Sequence, residues 1–172
     1  PVDGDIDHNL LIHYDLVEQA SIFNSNLIVF PELSITGYLR DQAKDYAFSQ
    51  NDKRLDYLKE LAKKHTIFII AGSPLRIQNQ LYIGVFIIKP DNTIDIYTKQ
   101  HLHQGEEQFY DYSFEYNPII ELEKEKVSIA ICADITNPLH IENAVERNST
   151  IYLVSIFCTK NGIKKDQQLL QQ

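Results

Sequence analysis

The amino-acid sequence predicts an α/β domain in which helices cover β-sheet. Short apolar runs bounded by turn residues alternate with segments whose apolar residues recur every three or four positions. Recurrent helix–strand alternation of this kind is typical of layered α/β proteins. The 172 residues are 44% hydrophobic and 23% charged, and no interior segment has the composition of a linker. We therefore expect a single domain over residues 1–172, with a sizeable core.

The first half of the chain contains two predicted helix–strand pairs. They occupy residues 9–24, 27–30, 53–65 and 66–71. Each helix has an apolar face at helical spacing, made by Leu10, Tyr14, Val17 and Ala20 in the first and by Leu55, Leu58, Leu61 and Ala62 in the second. Pro31 ends the first buried strand because proline cannot donate to a sheet ladder. Asp52 is expected to cap the second helix.

The second half contains two predicted hairpins, a helix and a strand. They occupy residues 82–89 with 93–98, 118–122 with 126–131, 138–147, and 151–157. The Pro-Asp-Asn turn at residues 90–92 joins the first hairpin, and Asn137-Pro138 is typical of a helix start. Residues 100–117 are polar and aromatic without a period, so they form a long loop. Loops of that length are often functional.

Charge and cysteine content exclude several kinds of partner. The net charge is −8 and no concentrated lysine and arginine cluster is present, which argues against nucleic acid binding. No apolar run approaches membrane-span length, and no signal peptide is visible. The two cysteines, Cys132 and Cys158, are too few for a disulfide framework and indicate a reducing compartment. We expect a cytoplasmic protein that binds neither nucleic acid nor membrane.

Three reactive side chains stand at the ends of predicted strands, where α/β proteins often place chemistry: an acid (Glu32), an amine (Lys99) and a thiol (Cys132). If they converge, the carboxylate can take the thiol proton, and the ammonium can stabilise both the thiolate and a developing oxyanion. Taken singly, each residue also fits a structural role. The cysteine fits a core position, the glutamate a helix cap or a solvated turn, and the lysine an exposed strand end.

Longer motifs surround these residues at 30–38 (Phe-Pro-Glu-Leu-Ser-Ile-Thr-Gly-Tyr), 97–102 (Tyr-Thr-Lys-Gln-His-Leu) and 129–134 (Ile-Ala-Ile-Cys-Ala-Asp). In this order they resemble the three catalytic segments of the nitrilase superfamily, the carbon–nitrogen hydrolases. The resemblance covers nearly the whole chain. One such motif would be weak support, whereas three in order are strong.

The resemblance implies a role for each residue. Glu32 is similar to the general base of the family, Lys99 to its oxyanion stabiliser and Cys132 to its nucleophile, while the backbone N–H of Ala133 completes the oxyanion site. The implied reaction is hydrolysis of a non-peptide carbon–nitrogen bond through a thioester on the cysteine. The implied substrates are small amides, nitriles or ureido acids, and the sequence leaves that choice open.

The family also has a second glutamate between its lysine and its cysteine. Residues 105–110 (Gly-Glu-Glu-Gln-Phe-Tyr) match that segment. We predict Glu106 as the second acid, because the family acid often follows a glycine and precedes an aromatic by a few residues. Glu107 is the neighbouring alternative.

The same loop allows a competing interpretation as a metal site. His101, His103 and Glu106 are possible ligands, but zinc usually takes three or four ligands with supporting hydrogen bonds. We therefore expect neither a metal nor another cofactor. Loop aromatics could line a pocket, although scattered aromatics more often cover core edges: Tyr38, Phe109, Tyr110 and Tyr112.

The fold implied by the resemblance is a four-layer αββα sandwich. Relative to it, the chain lacks an opening strand and the closing strands and helices, so we expect a fragment. Consistent with this, the chain starts at Pro1, contains no methionine and ends in a short predicted helix at 164–172. Residues 135–140 (Ile-Thr-Asn-Pro-Leu-His) replace the arginine, aromatic, proline and glutamate that many members place after the cysteine motif. This departure bears on the substrate more than on the chemistry.

Two other functional hypotheses stay open from the sequence. One is a non-catalytic binding or regulatory module on the same scaffold, since fold does not fix activity. The other is an ammonia-supplying glutamine amidotransferase domain. By resemblance, we expect a homodimer or a higher homo-oligomer in each case.

Overall fold

The computed structural model describes residues 1–157, which form two β-sheets and the helices that cover them. The helices are α1 (Ile6–Ile22), α2 (Ala43–Tyr46), α3 (Asp56–His65) and α4 (Pro138–Glu146), with 3₁₀ turns at Lys53–Leu55 and Cys132–Thr136. The strands are β1 (Leu27–Val29), β2 (Phe68–Ile77), β3 (Gln80–Ile88), β4 (Ile94–Thr98), β5 (Ile120–Leu122), β6 (Glu125–Ile131) and β7 (Ile151–Ser155). No helix within these residues is both long and apolar enough to span a bilayer.

The first sheet has the strand order β1-β2-β3-β4, and the second has the order β5-β6-β7. β1 pairs with β2 in parallel, and β2, β3 and β4 follow one another as antiparallel hairpins. β5 and β6 form an antiparallel hairpin, while β6 and β7 are parallel and are connected through α4. Both hairpins predicted from the sequence are therefore confirmed.

Apolar side chains form a separate core on each face of the first sheet. The core under α1 and α3 includes Leu10, Val17, Leu58, Leu61, Ile69, Ala71, Phe86 and Ile88. The core between the two sheets includes Ile70, Val85, Ile87, Tyr97, Val127, Ile129 and Ile131. On β6, the buried Ser128 and Ala130 alternate with these residues and face away, toward the side that the crossover helix α4 covers. The order of layers is helix, sheet, sheet, helix, which confirms the predicted sandwich.

The first two strands differ from the prediction. β1 is only partly buried, with Val29 38% exposed, because it lies at the edge of the described sheet. β2 runs on to Ile77 and turns directly into β3 through Gln78 and Asn79. This hairpin was not predicted because neither turn residue is the glycine that usually marks such a turn. Gln78 nevertheless adopts the positive φ, 54°, that the turn requires.

Both predicted capping residues form capping bonds, but Asp52 caps the 3₁₀ turn that precedes α3, and α1 begins at Ile6 rather than at residue 9. The Asp52 carboxylate accepts from the backbone N–H of Arg54 at 3.0 Å, and the Asn137 side chain accepts from that of Leu139 at 3.0 Å. Cys158 and the helix predicted at 164–172 lie outside the described residues.

Buried polar side chains hold the backbone that follows β1. His13 is 3% exposed and donates from Nδ1 to the carbonyl of Asn9 at 2.7 Å, because a carbonyl can only accept. Its Nε2 therefore accepts from the Ser34 hydroxyl at 2.9 Å, and that oxygen accepts from Gly72 N–H at 3.2 Å. A Cβ at Gly72 would lie 2.5 Å from the nitrogen of Leu33, so only glycine permits this approach. α1 and β2 together fix the segment after β1.

We expect the burial of His13 to make the protein less stable in acid. Burial lowers the pKa of His13 from 6.5 to about 4, so the unfolded chain takes up a proton at higher pH than the folded one. The resulting stability is fully present above the unfolded pKa and is lost as the pH falls toward 4, by about 3 kcal/mol in the free energy of unfolding. Urea unfolding at about pH 7 and about pH 4 measures this loss.

His13→Gln should reduce the difference between the two pH values, because the titrating ring is gone. His8→Gln, at an exposed position of the same helix, is the control and should keep the wild-type difference. The same difference in the wild type and in both variants would contradict the role assigned to His13.

Candidate active site

The ends of β1, β4, β6 and β7 meet at one edge of the two sheets. β1 and β4 run in the same direction, so their carboxyl ends lie at the same edge of the first sheet. At the end of β7, the Ser155 hydroxyl donates to the carbonyl of Phe30 at 2.9 Å, which brings the parallel strands of the second sheet to that edge. Glu32, Lys99 and Cys132 follow β1, β4 and β6 there.

Lys99 is the centre of a buried ion cluster. Its side chain has no solvent exposure, and Nζ lies 2.8 Å from Oε1 of Glu32 and 2.8 Å from Oε2 of Glu106. Both carboxylates are 1% exposed. A buried ammonium is tolerated when it is paired and hydrogen-bonded, and this one is bonded on two sides. The structure thus brings together three of the residues that the sequence singled out.

Glu106, and not Glu107, is the loop carboxylate that contacts the lysine. Oε2 of Glu106 accepts from the backbone N–H of His103 at 2.7 Å, and Oε1 accepts from the hydroxyl of Tyr38. The exposed side chain of Glu107 accepts instead from the N–H of Gly105 at 2.6 Å. Tyr38 is one of the aromatics that the sequence suggested for a pocket, but its bond to Glu106 was not indicated, because the two residues lie 68 positions apart.

The two carboxylates have pKa values displaced in opposite directions. Burial raises the pKa of Glu32; the charge on Lys99 opposes this, and the charge on Glu106 adds to it. Burial also acts to raise the pKa of Glu106, but the charge on Lys99 and the hydrogen bonds from Lys99, Tyr38 and His103 outweigh it and lower the pKa. The same carboxylates overcome the effect of burial on Lys99 and raise its pKa. Glu106 is thus a fixed anion, and Glu32 is the carboxylate that takes up a proton more readily.

Cys132 begins the 3₁₀ turn that follows β6, and its side chain is partly buried. Its backbone has a φ of 45°, in the left-handed region that residues other than glycine rarely occupy. Such a conformation costs about 1–3 kcal/mol and persists only where the surroundings impose it. Ala133 is the next residue of the turn, and the first N–H groups of a helical turn have no partner within the turn.

Asp134 imposes this backbone and ties it to the lysine segment. Its carboxylate is fully buried, and Oδ2 accepts from the N–H of Ile131 at 2.9 Å. Oδ1 accepts from the backbone N–H groups of Gln100 and His101 at 3.0 and 2.8 Å. One carboxylate therefore joins the residues directly after Lys99 to the turn that carries the cysteine. The sequence showed this acid only as part of a motif and gave no sign of its partners.

A buried hydrogen-bond chain extends from Asp134 to α4 and β7. The Tyr97 hydroxyl donates to Oδ2 of Asp134 at 2.7 Å, so it must accept from Nε2–H of His140 at 2.8 Å. Nδ1 of His140 then accepts from the Tyr152 hydroxyl at 2.7 Å. Burial lowers the pKa of His140, consistent with this neutral ring. His140 belongs to the segment that departs from the family pattern.

We expect Tyr97→Phe to lower the free energy of unfolding by about 2 kcal/mol, because it leaves the buried Asp134 and His140 each without one partner. Urea denaturation measures the change. Tyr112→Phe removes the hydroxyl of a side chain that is 61% exposed, and it should change stability by less than about 0.5 kcal/mol. Equal, small effects of the two substitutions would contradict the structural role of the chain.

The residues considered for a metal site have other contacts. Glu106 faces Lys99, Nδ1 of His101 lies 3.3 Å from the side-chain amide of Asn137, and His103 is exposed. Within residues 1–157, no group of three or more histidine, cysteine, aspartate or glutamate side chains is arranged to hold a metal ion.

Comparison with known proteins places the chain among carbon–nitrogen hydrolases. The sequence profile described as "Carbon-nitrogen hydrolase" matches residues 1–172. The chain is 30% identical over 135 residues to the 2-oxoglutaramate amidase of Bacillus subtilis, covering 77% of this chain and 52% of that protein. It is 24% identical over 168 residues to the glutamine-dependent NAD(+) synthetase of Aquifex aeolicus, covering 94% of this chain and 29% of that protein. The chain thus spans about half, or less, of the length of these relatives.

A solved structure shows the same fold. A carbon–nitrogen hydrolase superfamily protein from Xanthomonas campestris superposes with a TM-score of 0.87 at 19% identity, covering 98% of this chain and 66% of that one.

Proposed function

Because the chain belongs to the carbon–nitrogen hydrolase family, we propose that it hydrolyses a non-peptide carbon–nitrogen bond of an amide-like substrate, with Cys132 as nucleophile. One observation carries the proposal. A fully buried Lys99 bridges the carboxylates of Glu32 and Glu106 at the edge of the sheets where the cysteine turn is anchored. The similarity to an amidase at 30% identity makes an amide the first substrate to test.

In the first half of the proposed reaction, Glu32 takes the thiol proton while the sulfur of Cys132 attacks the amide carbon. The carbonyl oxygen becomes an oxyanion, which the Lys99 ammonium and the backbone N–H of Ala133 stabilise. The carbon–nitrogen bond then breaks, and the amine leaves with the proton from Glu32. One such oxyanion donor is worth about 3 kcal/mol of transition-state free energy.

In the second half, water hydrolyses the thioester. Glu32 takes a proton from the water as its oxygen attacks the thioester carbon, and the proton then returns to the departing sulfur. Glu106 stays ionised throughout and holds Lys99 in its charged form. The opposite pKa displacements of the two carboxylates support this division of roles.

A panel of primary amides, nitriles and ureido acids tests the function through ammonia release. We expect turnover of at least one amide, with kcat/KM falling in acid as Glu32 becomes protonated. Because the pKa of Glu32 is raised above its ordinary value of 4.5, this acid limb should lie above that value. Glu32→Gln should remove the limb and lower kcat/KM by about 10²-fold or more. No turnover anywhere in the panel, by a folded protein, would contradict the proposal.

The similarity to a glutamine-dependent NAD(+) synthetase favours one other candidate function. In that case, the same residues would release ammonia from glutamine for use at another active site. Turnover of L-glutamine in preference to the rest of the panel would support this alternative, and rejection of glutamine would eliminate it.

Thiol reactivity distinguishes an enzyme from a non-catalytic module on the same scaffold. If the thiol is activated, iodoacetamide should modify Cys132 faster than Cys158, as peptide mass spectrometry can measure. Equally slow modification of the two cysteines would favour the non-catalytic module.

A further inference from the structure

A surface cavity of about 580 Å³ adjoins the buried ion cluster. Its walls come from the loop after β1 and from the long loop after β4: Tyr38, Leu39, Arg40, Asp41, Gln42 and Phe109. Tyr38 belongs to both sites, because it lines the cavity and its hydroxyl donates to Glu106. The cavity is therefore one side chain away from the carboxylate that contacts Lys99.

Arg40 places a positive charge on the wall of this cavity. Its Nη2 donates to the hydroxyl oxygen of Tyr38 at 3.4 Å, and the guanidinium carbon lies 5.1 Å from the centre of the Tyr38 ring. The ring thus holds the guanidinium beside the ion cluster. The side chain is partly exposed, so it is open to a molecule that enters the cavity.

Two other arginines are engaged differently. Arg54 forms a 2.7 Å ion pair with Asp52 and stacks on Phe48, and Arg76 donates to the carbonyl of Lys44 at 2.7 Å. Within residues 1–157, no carboxylate lies within 4 Å of the Arg40 guanidinium. A guanidinium has five N–H donors in a planar fork that matches a carboxylate.

We propose that Arg40 binds a carboxylate on the substrate, so that the site selects amides that carry a second, acidic end. This inference rests on the proposed function and names its substrate class. A single guanidinium between aromatic walls suits one carboxylate better than a phosphate, which usually recruits several cations or backbone N–H groups. The amide end then reaches the nucleophile while the acid end stays in the cavity.

Asp41 works against this selection, because its exposed carboxylate is on the same wall. Removing its charge should therefore strengthen the preference for an acidic amide, whereas removing the charge of Arg40 should weaken it. Neighbouring substitutions with opposite expected effects separate charge recognition from a general disturbance of the loop.

Glutaramate and pentanamide make a suitable pair of probes, since both have five carbons and only the first carries a carboxylate. The measured quantity is the ratio of kcat/KM for glutaramate to kcat/KM for pentanamide. We expect Arg40→Gln to lower this ratio by about ten- to a hundredfold, mostly through KM, which corresponds to 1.4–2.7 kcal/mol. Arg40→Lys should lower it less, and Asp41→Asn should raise it. Arg76→Gln, which lies outside the cavity wall, is the control and should leave the ratio unchanged.

Calorimetry of glutarate binding to the same proteins separates the proposed role of Arg40 from the proposed hydrolysis. Turnover of both amides with a ratio that Arg40→Gln leaves unchanged would overturn the role of Arg40 and keep the proposed function. Binding of glutarate that is lost in Arg40→Gln, without turnover of either amide, would support the role of Arg40 and contradict hydrolysis. Neither turnover nor glutarate binding would overturn both.

Discussion

Replacing Cys132 with alanine is expected to lower kcat for amide hydrolysis by at least about 10⁴-fold while the protein stays folded. The loss is large because the substitution removes the thiol that forms the proposed thioester. The fold should persist because alanine keeps the backbone atoms, and the bonds of Asp134 to Ile131, Gln100 and His101 do not involve the sulfur. Ammonia release measures the activity, and circular dichroism with urea unfolding measures the fold.

Cys132→Ser refines this test. Serine keeps the size and position of the nucleophile, but its hydroxyl is far harder to ionise than a thiol, so activity should stay close to that of the alanine variant. Substantial turnover by a well-folded Cys132→Ala protein would contradict cysteine nucleophilicity. A loss of activity accompanied by unfolding would instead indicate that the half-buried side chain is needed for packing.

The strands and the residues that follow them could be predicted because the sequence patterns that indicate them are local. An alternating pattern marks β4 and an apolar run marks β6, and the residues that follow them, Lys99 and Cys132, lie at the strand ends as expected. The hairpin between β2 and β3 was missed for a local reason as well, since its turn lacks glycine. Only the motif distinguished the neighbouring candidates for the second acid, Glu106 and Glu107, and in the structure Glu106 is the one that contacts Lys99.

The supporting contacts could not be predicted, because they join residues that are far apart in the chain. Asp134 accepts from N–H groups that are 33 and 34 positions away, and no periodicity or composition links those segments. The bond that the Ser34 hydroxyl donates to His13 spans 21 positions, and it connects a helix face that looked merely amphipathic to the segment after β1. Arg40 gave no signal either, since its significance depends on Tyr38 lying beside Glu106. A sequence motif can identify reactive side chains, but here the groups that hold them in place become visible only in the folded chain.

Glu106→Gln is expected to lower kcat by about 10²-fold or more, and Glu107→Gln to leave it nearly unchanged. The first substitution removes an anion 2.8 Å from Lys99 and leaves Glu32 as the one carboxylate contacting the lysine within the described residues. Lys99 then pairs more strongly with the Glu32 carboxylate, which makes Glu32 a weaker base toward the thiol. The second substitution changes an exposed side chain that bonds to Gly105, with the same loss of charge in the same loop.

The pH profile distinguishes this electrostatic role from simple structural damage. The charge on Glu106 raises the pKa of Glu32, so its removal should lower that pKa and move the acid limb of kcat/KM to lower pH. It also raises the pKa of Lys99, so the lysine should lose its proton at lower pH in the variant than in the wild type. If the substitution only damaged the structure, kcat/KM would fall equally at every pH and the acid limb would stay where it is. An unmoved limb in Glu106→Gln, or equal losses in the two glutamine variants, would show that Glu106 does not set the charge state of the cluster.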